Sequence, residues 1–132
     1  MKIAAMLAAA LVAAPILIQP AAAQQVPNIV GTWTGASDGV GKRDGWVNKP
    51  VTLVVSEQRG RSFRAKVVYD SARGEQTEDV VGTFAPDGKG VYLAGDDGIH
   101  IASLNGSILD VCYLEPSDDD ALAVCASLQK KP

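Results

Sequence analysis

Few side chains in this 132-residue chain are equipped for acid–base or nucleophilic chemistry. The single histidine, His100, is the one group whose charge ordinarily changes near neutral pH, so a Ser–His–Asp arrangement would have to use it. His100 lies between Ile99 and Ile101; if both isoleucines face a core, strand alternation sends the imidazole outward or to a rim. No G-x-S-x-G elbow accompanies it. Asp96-Asp97-Gly98 and Asp118-Asp119-Asp120 cluster carboxylates, yet neither has the alternating spacing and distal Glu of a calcium loop, and both read as turns. One His and two Cys do not make a closed zinc site. The expectation is a protein that is not an enzyme and that carries no metal or cofactor.

Other residues suit binding. Arg59, Arg61, Arg64 and Lys66 gather on one hairpin and could meet an anionic surface, although a solvated hairpin face is the plainer account. The net charge of −3 gives no footprint for nucleic acid. Trp46 sits in a Gly- and charge-rich segment, 36–50, which reads as a long loop; 70–79 reads as a second one. A Trp in such a loop either covers the end of a core or waits for a partner. Trp46, with Trp33 and Tyr69, forms the candidate ligand-binding set.

The N-terminus carries Lys2, an apolar run from Ile3 to Ile18, and Ala21-Ala22-Ala23. Charged, apolar and small-residue regions in that order are those of a secretory signal peptide. Cleavage is expected after Ala23, with residues 24–132 forming one domain in the periplasm or outside the cell. Pro15 and Pro20 make the run short and weak as a membrane span. Because the leader holds Lys2 and no acid, the mature chain is one unit more negative than the whole. So small a domain buries a modest core and gains from a staple. An oxidising compartment favours a disulfide between Cys112 and Cys125. If the hairpin is centred on 116–120, Cys112 falls opposite Cys125, Tyr113 opposite Val124 and Val111 opposite Ala126.

Positioning these residues requires strands. Short β-rich runs occupy 29–35, 51–56, 62–69, 80–85, 90–94, 98–103, 108–115 and 121–129, with turn chemistry such as Pro86-Asp87-Gly88 and Asn105-Gly106 between them. No run from residue 28 onward has a capped helical period. Eight strands joined mostly by hairpins predict an all-β, antiparallel up-and-down barrel, whose closure removes exposed edges. Period two places Trp33, Leu53, Val55, Phe63, Ala65, Val67, Tyr69, Phe84, Ile99, Ile101, Leu109, Val111, Tyr113, Val124 and Leu128 inward, with Arg64, Lys66, Asp110 and the disulfide outward. Val30-Gly31-Thr32-Trp33 is echoed by Val81-Gly82-Thr83-Phe84, in each case a glycine before an inward aromatic.

Gly31-Thr32-Trp33 resembles the G-x-W motif on the first strand of the calycins, the group holding lipocalins and avidins, and the length is nearer that of avidin. The segments VGTWTG, VTLVVSEQRGRSF, VVGTFAPDGKGVYL and ILDVCYLEP also resemble a family of small exported bacterial barrels to which no role is assigned. The resemblance implies a fold and no activity. Avidin-type ligand positions hold Gly35 and Gly39 in place of Asn and Ser, so biotin is not the expected ligand. The expected function is an exported, non-enzymatic barrel that binds a small apolar ligand or a protein partner through its rim. The alternative is a protein-interaction or protease-inhibitor module acting through the tail Gln24-Gln25-Val26-Pro27-Asn28.

Overall fold

A computed structural model describes residues 25–132 of the chain. The proposed leader, 1–23, and its cleavage site lie outside the described residues. Eight strands follow one another: β1 (Gly31–Gly41), β2 (Gly45–Arg59), β3 (Ser62–Ser71), β4 (Gly74–Phe84), β5 (Gly90–Ala94), β6 (Ile99–Asn105), β7 (Ile108–Glu115) and β8 (Leu122–Lys130). Each pairs antiparallel with its neighbour, and β8 returns to β1 to close the barrel. The predicted all-β up-and-down architecture is the observed one. Gly60 and Gly106 take positive φ at the β2–β3 and β6–β7 turns, a conformation that L side chains resist.

The core fills one end of the barrel. Trp33, Leu53, Val55, Phe63, Phe84, Val91, Leu109 and Leu128 are buried there, following the period-two pattern. Residues 26–29 cross this end and seal it. Ile29 is fully buried, the Trp33 indole N–H donates to the Ile29 carbonyl at 2.9 Å, and the Gln58 side chain accepts from the Ile29 N–H while donating to the Pro27 carbonyl, each at 2.9 Å. Trp33 and Phe84, the aromatics of the two echoed segments, are both buried. Beside Phe84, the Phe63 ring lies against the backbone of Gly82, leaving no room for a β-carbon.

The β7–β8 hairpin has the anticipated register: Cys112 opposes Cys125, Tyr113 opposes Val124 and Val111 opposes Ala126. The Cα atoms of the two cysteines are 4.0 Å apart and the sulfurs are joined.

Three expectations need correction. Segments 36–50 and 70–79 are strands rather than loops: β1 and β2 run on to a three-residue turn at 42–44, and β3 and β4 to a turn at 72–73. Small inward residues, Ser37, Gly39 and Gly41, conceal the alternation on β1. On β6 the phase is reversed. Ile99 and Ile101 are about half exposed, whereas His100 and Ala102 are buried. Lateral neighbours in a sheet share a face, and His100 pairs with Leu93 on β5 and Tyr113 on β7, both inward. Finally, Tyr69 keeps the predicted inward phase but is not part of the core: it stands at an opening with 39% of its surface exposed.

Candidate functional site

The end of the barrel opposite the plug is open because its ladders stop short. Pairing of β2 with β3 begins only at Val51 and Tyr69, and pairing of β4 with β5 is confined to 81–84 against 91–94. The β1–β2 and β3–β4 ribbons therefore diverge beyond the core. Inside the barrel at this end lies a cup of about 140 Å³, to which all eight strands contribute. Its walls are apolar, from Val51, Val67, Leu93, Val111, Val124 and Leu128 among others, and its mouth is polar, from Lys49, Tyr69, Asp70, Glu78, Asp97, Tyr113 and Glu115. Alternation explains the mixture: β7 turns Val111, Tyr113 and Glu115 inward in succession, so one strand contributes wall, belt and rim.

His100 belongs to the cup wall and is 7% exposed. Its ring packs on Tyr113 with centroids 4.6 Å apart and planes tilted by 40°. Nδ1 is buried and has no hydrogen-bond partner among the described residues. Burial holds the imidazole pKa down at about 4, so the ring is neutral at physiological pH. Nearly all buried polar atoms in folded proteins are paired, which makes this nitrogen an exception.

The rim is acidic. Burial, followed by the nearby Asp97, Asp96 and Glu115 carboxylates, raises the Glu78 pKa, against the opposing effect of the Asp96 N–H that donates to Glu78 Oε1 at 2.9 Å. Burial first and then Glu78, Glu115 and Asp97 raise the pKa of Tyr69. The Tyr113 hydroxyl donates to Glu115 Oε2 at 3.0 Å, and burial together with that bond raises its pKa. Of the described ion pairs, Arg43–Asp120, Arg59–Glu57 and Lys66–Asp79, none involves Asp70, Glu78, Asp97 or Glu115.

The predicted contact residues are dispersed. Tyr69 lines the cup, Trp33 is buried at the sealed end, and Trp46 is 89% exposed on the β1–β2 ribbon, where its neighbour Val47 faces the cup. Trp46 therefore does not cover the core. Pro27 of the short tail, and Ile29 just beyond it, are tied to Gln58, a docking that insertion of the tail into a partner would first have to break. Within the basic hairpin, Arg59 and Lys66 are paired with acids. The inward side of His100 and the carboxylates of Glu78 and Glu115 escaped the sequence reading, and Asp97 was read only as part of an acidic turn. For Glu115 the signal was present, two residues beyond the inward Tyr113.

Among the described residues no group of three His, Cys, Asp or Glu side chains could hold a metal, and no helix is long and apolar enough to cross a membrane. No known family model matches the chain, and no curated protein matches it significantly.

Proposed function

We propose that this protein is an exported, non-enzymatic binding barrel that holds one small molecule with an apolar body in the cup at the open end of the barrel. The carrying observation is the cup itself, a cavity of about 140 Å³ with apolar walls beneath a polar mouth. A dry apolar cavity of roughly 150 Å³ is known to accept a ligand the size of benzene, which sets the scale of the guest. Few convergent polar groups over apolar walls are the usual build of a small-molecule site.

The test is titration of the disulfide-bonded protein with 4-ethylphenol, followed through the methyl NMR signals of Val51, Val111 and Val124. Saturable shifts confined to these walls, and their loss in Val124→Trp, are expected. Shifts that never saturate, or that persist in Val124→Trp, would overturn the reading.

A second reading has its own support. Residues 45–50 pair with β1 but lack a β3 partner, and they carry the exposed Trp46. An open strand edge beside a free aromatic suits addition of an extended peptide.

A further inference from the structure

We infer that the cup selects small amphiphilic cations, amines whose ring-sized apolar body ends in a hydroxyl that reaches His100. The inference rests on the cup being a ligand site and adds what that ligand must carry.

Two independent observations converge. The first is charge. Asp70, Glu78, Asp97 and Glu115 stand around one cavity in which Lys49 is the single Lys or Arg side chain, and none of the four is in a described ion pair. Burial first, and then the neighbouring Asp97, Asp96 and Glu115 carboxylates, raise the Glu78 pKa, and a cation at this rim relieves the repulsion that Glu78 feels. Partly dry walls strengthen the attraction relative to open water. An anionic guest would meet the opposite field.

The second observation is His100, a nearly buried residue that lines the same cavity and whose Nδ1 has no hydrogen-bond partner among the described residues. A neutral imidazole offers one donor and one acceptor nitrogen. A ligand hydroxyl satisfies either, because it both donates and accepts. An ammonium group brought to this nitrogen would have to shed its water against a neutral ring, so the charge belongs at the mouth and the hydroxyl at the wall. The apolar body between them meets Val51, Val111 and Val124.

Four probes separate the contributions on the intact protein at pH 7: tyramine, phenethylamine, 4-ethylphenol and 3-(4-hydroxyphenyl)propionate. By calorimetry tyramine is expected to bind tightest. Phenethylamine and 4-ethylphenol, each lacking one polar group, should be weaker by about tenfold, the usual scale for one well-placed polar contact. The propionate should not bind detectably. Glu78→Gln and Asp97→Asn should weaken tyramine several-fold more than they weaken 4-ethylphenol. His100→Leu should erase the difference between tyramine and phenethylamine while preserving the advantage of the amine over the propionate. Added salt should shrink that advantage.

Equal affinity for 4-ethylphenol, the propionate and tyramine would overturn the charge selection while leaving the cup a binding site. Failure of all four probes, with the cup methyl signals unmoved, would overturn the cup itself.

Discussion

His100 and Tyr113 face each other across β6 and β7 with ring centroids 4.6 Å apart, and the phenol body shields the imidazole from water. Burial lowers the His100 pKa from an unfolded value of 6.5 to about 4. Between these values the unfolded chain binds a proton that the folded chain refuses, so stability falls as pH drops through that window and is retained above 6.5. At about 1.4 kcal/mol per unit, the loss by pH 4 is about 3 kcal/mol. Urea melts of wild type and His100→Leu across pH 4 to 7 isolate it, because the rim acids are common to both proteins. Parallel curves would refute it.

At neutral pH the same substitution should not destabilise. His100 Nδ1 is an unpaired buried polar atom, and removing such a group relieves a penalty of about 1–3 kcal/mol, offset by lost contact with Tyr113. The expected result at pH 7 is a melting midpoint equal to or above that of wild type. A drop of several degrees would mean that the imidazole contributes packing the leucine cannot replace.

Much of the barrel was legible because alternation repeats along every strand. Leu53, Val55, Phe63, Ala65 and Val67 are inward as expected. The hairpin carrying Cys112 and Cys125 was legible to the residue, since a compact turn sets one register for both arms. The cup was not. Its β6 wall reads Ile-His-Ile, where hydrophobicity favours the wrong face, and only the lateral pairing with Leu93 and Tyr113 decides the phase. The opening itself depends on where ladders end, at Val51 with Tyr69, and no single segment encodes that.

Reduction of Cys112–Cys125 should lower stability by about 2–3 kcal/mol, the chain-entropy scale for a loop of this size. The bridge staples two strands that already pair from Ile108 to Glu115, so the barrel should survive its loss. Urea midpoints with and without a reductant measure the change, and far-ultraviolet circular dichroism reports whether the fold persists. Unfolding on reduction alone would show that the β7–β8 ladder cannot hold the closure.

Gly82→Ala should cost about 1–3 kcal/mol, because the added methyl enters space filled by the Phe63 ring. Phe63→Leu alone also destabilises, by opening a gap in the core beside Phe84. Combined, the two changes should cost less than their sum, since the smaller side chain makes room for the methyl. Strict additivity in the double-mutant cycle would place the strain elsewhere in β4.

The two tryptophans should behave as opposites. Trp33 is 2% exposed with its indole N–H bonded to the Ile29 carbonyl, whereas Trp46 is 89% exposed. Trp46→Phe should leave a blue-shifted emission that acrylamide scarcely quenches, and Trp33→Phe a red, readily quenched one. Trp33→Ala should cost about 3–5 kcal/mol by emptying the sealed end. Trp46→Ala should change stability by no more than about 0.5 kcal/mol, as expected of a surface site. The same variant tests the cup: affinity for 4-ethylphenol should be unchanged, because Val47 and not Trp46 lines it. If that affinity fell tenfold, the β1–β2 ribbon would have to fold its tryptophan over the mouth when the ligand enters, and the cup would be a closing site.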